Sequence, residues 1–243
     1  MTERRPMAGS PVFWTVLKFV LLGPLLRLLF RPRVTGLEHV PAEGGAILAA
    51  NHVSLLDPLL LPLVVPRRVM FLAKVKYTDK PLLHWFLRAV GVIPVATDEP
   101  DGASVAVAAG VRAVSDGRLV GIFPEGTRSP DGRLHRGKTG VARIAIQAGV
   151  PVIPAGITGT DLAFPRGARL PRPRSVRIAF GPPISFADPA GGPAPPGSGG
   201  PAPFGSGASV DAGVGSSPTR RATDQVMAAI RALSGQQDGT DIT

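Results

Sequence analysis

The sequence predicts an α/β fold: a single-domain mixed sheet flanked by helices, preceded by a membrane-associating helix and followed by a C-terminal helix after a disordered linker. Three observations predict it. From residue 34 onward, short apolar runs alternate with helix-length segments, the rhythm of a layered α/β fold. The 243 residues are 44% hydrophobic and 18% charged, which suits one folded domain with a substantial core. Composition changes sharply at both ends, which marks appendages and not a second core. The divisions follow: 1–33 membrane-associating, 34–186 folded domain, 187–218 linker, 219–243 C-terminal helix and tail.

Residues 11–30, PVFWTVLKFVLLGPLLRLLF, are the most apolar stretch near the N-terminus and about the length of one membrane span. Lys18, Arg27 and the Gly23-Pro24 pair interrupt it. The first 33 residues hold six Lys/Arg against one acidic residue, the pattern of a helix lying on an anionic leaflet. An interfacial anchor is favoured over a span, and a secretory signal is disfavoured because no small-residue cleavage site precedes Arg31-Pro32-Arg33.

In the domain, the strand candidates are 46–50, 69–73, 91–95, 119–123, 152–157 and 176–180. Helices are expected at 58–65, 80–89, 102–116 and 138–148, the last two stopping at Gly117 and Gly149. Half of residues 187–218 are Gly or Pro, too little apolar surface to order a segment, so a flexible linker is expected. Beyond it, Thr223 to Leu233 places Val226, Met227, Ile230 and Leu233 on one helical face, which suits docking back on the domain.

A net charge of +10 and a pI near 11.2 call for an anionic partner or surface. Nucleic acid is disfavoured: there are one Tyr and two Trp, no run of five Lys/Arg, and no aromatic or zinc signature of the usual modules. A mean hydropathy of +0.20 points toward lipid. The absence of cysteine removes disulfides, thiolate metal sites and a cysteine acyl-enzyme together. No metal is implied, since His39, His52, His84 and His135 fall at no ligand spacing.

Two clusters carry chemistry. The first, Asn51-His52-Val53-Ser54-Leu55-Leu56-Asp57-Pro58, follows a strand candidate, where active sites of α/β folds lie. Asp57 before Pro58 reads as a helix N-cap, leaving His52 in the loop. A carboxylate folded back on the ring would fix its tautomer and leave the other nitrogen to take a proton from a hydroxyl. The plainer reading is a polar loop histidine and a cap. Ser54 is read as a structural hydroxyl, because no nucleophile elbow surrounds it.

The second cluster is Phe123-Pro124-Glu125-Gly126-Thr127-Arg128-Ser129, followed by Arg133, Arg136 and Lys138. Gly126 permits close backbone approach and Arg128 offers a planar fork, the parts of an anion cradle. Glu125 suits orientation of Arg128 or of a substrate hydroxyl better than anion binding. A solvated basic loop is the alternative.

Asn-His-x-Ser-x-x-Asp-Pro followed by Phe-Pro-Glu-Gly-Thr-Arg-Ser resembles the first and third motifs of the glycerophospholipid acyltransferases, typified by 1-acylglycerol-3-phosphate acyltransferase. Gly91 to Val95 resembles the second motif and Val150 to Pro154 the fourth, so the resemblance runs from about 33 to 186. It implies His52 as general base, Asp57 as its partner, and Glu125, Gly126, Thr127 and Arg128 as binders of the acceptor phosphate, with Lys74 and Lys138 as further cations. It also implies direct attack of a lysophospholipid hydroxyl on an acyl thioester, carried by CoA or acyl carrier protein, with no cofactor. The expected place is the cytoplasmic face of the cell membrane, peripheral or monotopic.

One position departs from the family. Where the second motif ends in an arginine, this chain has Thr97, followed by Asp98, Glu99 and Asp101. That leaves open a different lysophospholipid or a glycolipid as acceptor. The other alternative is a non-catalytic protein binding anionic membranes, against which the intact His-to-Asp spacing and Glu-Gly-Thr-Arg segment speak.

Overall fold

The computed structural model describes residues 22–74, 92–95, 101–186 and 217–239. In chain order these form α1 (Leu22–Phe30), β1 (Arg33–Thr35), a 3-10 turn (Leu37–His39), β2 (Ala46–Ala50), α2 (Asp57–Val64), β3 (Val69–Lys74) and β4 (Val92–Val95). Next come α3 (Gly102–Ser115), β5 (Leu119–Ile122), α4 (Gly140–Ala148), β6 (Val152–Thr158), α5 (Thr160–Ala163), β7 (Arg177–Phe180) and α6 (Pro218–Ser234).

The seven strands form one sheet in the order β1-β7-β6-β2-β5-β3-β4. β6, β2, β5, β3 and β4 are mutually parallel, whereas β7 runs antiparallel to β6 and carries β1 parallel to itself. The sheet is therefore mixed. Every residue of β2 is buried, and its side chains alternate between two cores. Ala46, Leu48 and Ala50 join Phe30, Leu60, Leu61 and Ile153 on one face. Ile47 and Ala49 join Val141, Ile144, Val226 and Ile230 on the other. Helices on both faces explain why the central strands read as unbroken apolar runs.

All six strand candidates are strands, with ends shifted by at most one residue. The 80–89 helix lies outside the described residues, as do 1–21 and 187–216. The three missed elements among the described residues of the domain are short: β1 and the 3-10 turn have three residues each, and α5 is a single helical turn.

Two boundaries need correction. Asp57 does not cap α2: the cap position is Leu56, with no side-chain bond, and Asp57 occupies the first turn beside Pro58. Gly23-Pro24 stands at the start of α1 as described from Leu22, and the rest of the 11–30 stretch lies outside the described residues. The C-terminal helix begins at Pro218, inside the stretch read as linker, because the Ser217 hydroxyl accepts from Arg220 N and caps it.

α6 docks on β6 as its apolar face requires. A Cβ on Gly156 would lie 2.4 Å from the Leu233 carbonyl carbon and 2.5 Å from Ser234 N, so only glycine admits the end of α6 this close to the sheet. That approach brings residues 235–239 alongside the carboxyl ends of the strands, where Leu134 N donates to Gln237 O and Gly239 N to Leu134 O. Among the described residues, no helix is long and apolar enough to cross a membrane.

Candidate active site

β2 and β5 are neighbours, so the loops that follow them, which hold the two sequence clusters, emerge side by side at the same end of the sheet. Asn51 is fully buried and continues β2 through its side chain: Nδ2 donates to Ile157 O at 2.9 Å, and Ile157 N donates to Oδ1 at 2.7 Å. The turn onto α2 then begins at a fixed point.

Asp57 organises that turn. Its side chain is fully buried, and Oδ2 accepts from Val53 N and Ser54 N, both at 2.8 Å. The same oxygen lies 2.9 Å from His52 Nδ1, and Oδ1 accepts from Thr160 Oγ1 at 2.6 Å. These four donors account for the failed cap, since the carboxylate is turned back onto the loop and has no oxygen left for the helix. A carboxylate is an acceptor only, so the Nδ1 proton belongs on the ring, and Nε2 keeps its lone pair.

The ring is fixed in its plane as well. His52 stacks on Phe123 with centroids 4.2 Å apart and planes at 21°, and Phe123 stacks on Phe71 at 5.6 Å and 11°. The His52 side chain keeps 16% exposure, enough for a substrate to reach it.

Glu125 joins the two loops. Oε1 accepts from His52 N at 3.0 Å and Oε2 from His135 N at 3.1 Å, while Ser129 N donates to His52 O at 2.8 Å. The backbone of the histidine is thus held on both sides by the second cluster. Burial raises the Glu125 carboxyl above its ordinary range, and the His135 and His52 amides and imidazoles pull it partly back. With 4% exposure and both oxygens engaged, Glu125 organises the loop and does not face an acceptor phosphate.

The turn after it is open. Gly126 has φ 72 and donates its N–H to Phe123 O at 2.9 Å, and Lys138 N donates to Pro124 O at 2.8 Å. The Lys138 side chain lies over this turn, its Nζ 3.0 Å from where a Gly126 Cβ would stand. Gly126, Thr127 and Lys138 are exposed, and Arg128 is half-buried. Lys74 closes β3, the parallel neighbour of β5, with its side chain outside the described residues, as are Thr97, Asp98 and Glu99.

A second histidine–aspartate contact braces the loop. His135 Nε2 lies 2.8 Å from Asp131 Oδ1, which also accepts from Arg133 N and Ser129 Oγ. These bonds hold the Asp131 carboxyl at about 2, well below the usual range.

Sequence reasoning missed Thr160 and Gln236. Gln236 Oε1 accepts from Asn51 Nδ2 at 2.7 Å, and its Nε2 donates to Gly132 O at 2.6 Å. Neither had a local signal beyond being a polar residue near the end of an apolar element.

A histidine oriented by a buried carboxylate, beside a turn that carries Lys138 at the carboxyl ends of an α/β sheet, is an arrangement that can accept a proton at Nε2. The Acyltransferase family model matches residues 31–158, more than half of the chain, and the chain belongs to that family. It is also similar to the crystal structure of the 1-acyl-sn-glycerophosphate (LPA) acyltransferase PlsC from Thermotoga maritima. The TM-score is 0.64 at 24% identity, over 90% of this chain and 79% of that one, so the fold is shared.

Proposed function

We propose that this acyltransferase moves a fatty acyl group from acyl-CoA or acyl carrier protein to the sn-2 hydroxyl of 1-acyl-glycerol-3-phosphate, at an anionic membrane surface. The observation that carries it is the 2.9 Å contact between His52 Nδ1 and a fully buried Asp57. Nε2 takes the proton of the acceptor hydroxyl as its oxygen bonds to the thioester carbonyl carbon. The tetrahedral oxyanion collapses with cleavage of the C–S bond, and the departing thiolate recovers the proton from the imidazolium. No acyl-enzyme is needed, in keeping with a chain that lacks cysteine and whose Ser54 hydroxyl donates to Phe164 O at 3.1 Å.

The acceptor phosphate is assigned to the Gly126–Arg128 turn and Lys138. Here a left-handed glycine exposes backbone, the Lys138 ammonium lies over it, and Arg128 follows two residues on. Thr97, in place of the family's arginine, favours a second reading in which the acceptor carries a head group on its phosphate. Acyl transfer with a defined thioester and a panel of lysolipids, on wild type and His52→Ala, tests both. Wild-type turnover by His52→Ala would remove the base, and preference for a head-group-bearing acceptor would replace lysophosphatidic acid.

A further inference from the structure

We infer that the loop between α5 and β7, residues 164–176, is a second membrane-contact surface that presses the mouth of the His52 site onto an anionic leaflet. The inference rests on the membrane-surface reading above and adds a segment to it. Arg166, Arg169, Arg172 and Arg174 are all exposed on this loop, and Asp161 is the sole acidic residue between Thr160 and Arg177. Leu170, between the arginines, is 77% exposed.

Six large apolar side chains stand out as exposed among the described residues: one, Leu170, is on the loop, and four are on elements joined or bonded to it, Leu25 and Leu28 on α1, Leu55 in the His52 turn and Leu162 on α5. The loop is pinned at both ends. Arg174 N donates to Leu29 O at 3.0 Å and Val176 N to Phe30 O at 2.9 Å, which ties it to α1. Ser54 Oγ donates to Phe164 O at 3.1 Å, which ties it to the His52 turn, and Arg172 N closes it on Ala163 O at 2.7 Å.

Leucines amid guanidinium groups match the interface of an anionic bilayer, where the leucine enters the acyl boundary and the arginines stay with the phosphates. Continuity with the apolar face of α1 favours a lipid surface over an acidic protein. With the leaflet held on this side, a lysolipid need only rise out of it to bring its hydroxyl to His52.

The full chain would be floated with phosphatidylglycerol–phosphatidylcholine vesicles and with phosphatidylcholine vesicles alone, and its turnover measured separately in neutral detergent micelles. Replacing Arg166, Arg169 and Arg172 together by Gln is expected to lower partition onto the anionic vesicles by on the order of 100-fold. Leu170→Ser lowers partition severalfold on its own, and both variants keep wild-type melting temperatures and micellar turnover. Unchanged partition of both variants onto anionic vesicles would overturn the inference. If transfer from acyl carrier protein but not from acyl-CoA then fell, an acidic protein would be the occupant instead. Absent micellar turnover in the wild type would sink the acyl-transfer reading alone, because the vesicle measurement needs no catalysis.

Discussion

The side chain of Gln236 joins the two halves of the site: Asn51 Nδ2 donates to its Oε1 at 2.7 Å, and its own Nε2 donates to Gly132 O at 2.6 Å. Asn51 precedes the proposed base and Gly132 lies in the loop that carries the anion turn, so one amide from the C-terminal tail fixes their separation. Gln236→Ala leaves Asn51 paired with Ile157 but removes both bridges. Loss of these bonds costs about 1–3 kcal/mol of stability. Because reactive geometry depends on loop separation, kcat is expected to fall more than acceptor KM rises. Steady-state kinetics with a thermal melt check this, and Gln236→Glu, which keeps only the acceptor half, should restore little.

Asp57→Asn tests the tautomer. Asparagine removes the negative charge that holds Nδ1–H, and when its NH2 faces the ring it donates to Nδ1 and cannot accept from Val53 N, Ser54 N or Nδ1–H as the carboxylate does. A ring released from that contact is free to carry its proton on Nε2, where it blocks the base. The expected loss in kcat is on the order of 10⁴, the size this change has in a Ser-His-Asp triad. Thr160→Val, which removes a single bond to Oδ1, should lose far less. Equal losses in the two variants would show that disturbed folding of the turn, and not the tautomer, controls the rate.

Much of this arrangement was legible in the sequence, for reasons specific to each element. The central strands are buried on both faces, so each shows as an apolar run bounded by polar residues or glycine, and register errors are small. The His52–Asp57 pairing was legible because only four residues separate the two, which restricts where the carboxylate can go. The direction of Asp57 was not: a cap and a back-folded carboxylate share the same Asp-Pro signature, and the choice is made by Val53 N, Ser54 N and a hydroxyl from residue 160. Glu125 escaped for a similar reason. Its partners are the backbone N–H groups of His52 and His135, which every sequence possesses. β1 was invisible because its pairing with β7 joins residues far apart in the chain, and its own three residues are mostly exposed.

Glu125 and Asp131 predict opposite pH slopes. Glu125 has a folded value raised by burial, so the folded state holds the proton more tightly than the unfolded one. Its contribution is present below the ordinary carboxylate range and is lost as pH rises through the raised value. Asp131 is depressed from 3.8 to about 2, so its contribution is present above 3.8 and lost as pH falls towards about 2. Melting temperature followed across acid and neutral pH should show Asp131→Asn flattening the acid limb. Glu125→Gln should flatten the decline above it. Glu125→Gln should also lower stability at neutral pH by about 1–3 kcal/mol, because glutamine has one acceptor oxygen for two backbone donors.

Gly126→Ala addresses the anion turn. A φ of 72 costs an alanine about 1–2 kcal/mol that glycine does not pay. The new Cβ would also stand 3.0 Å from Cδ, Cε and Nζ of Lys138, tighter than ordinary contact. Since those atoms are the far end of a flexible side chain, the lysine swings away and the ammonium leaves the turn. The binding defect is expected to exceed the chemical one, because the His52–Asp57 contact and the bonds to Asp57 from Val53 N, Ser54 N and Thr160 lie outside this turn, even though Glu125 beside Gly126 holds the His52 backbone. Acceptor KM is therefore expected to rise with kcat little changed, and Lys138→Ala should reproduce the KM effect without the loss of stability. If Gly126→Ala lowered the melting temperature yet kept the wild-type KM, the acceptor's phosphate would have to sit elsewhere, with the end of β3 at Lys74 the next place to look.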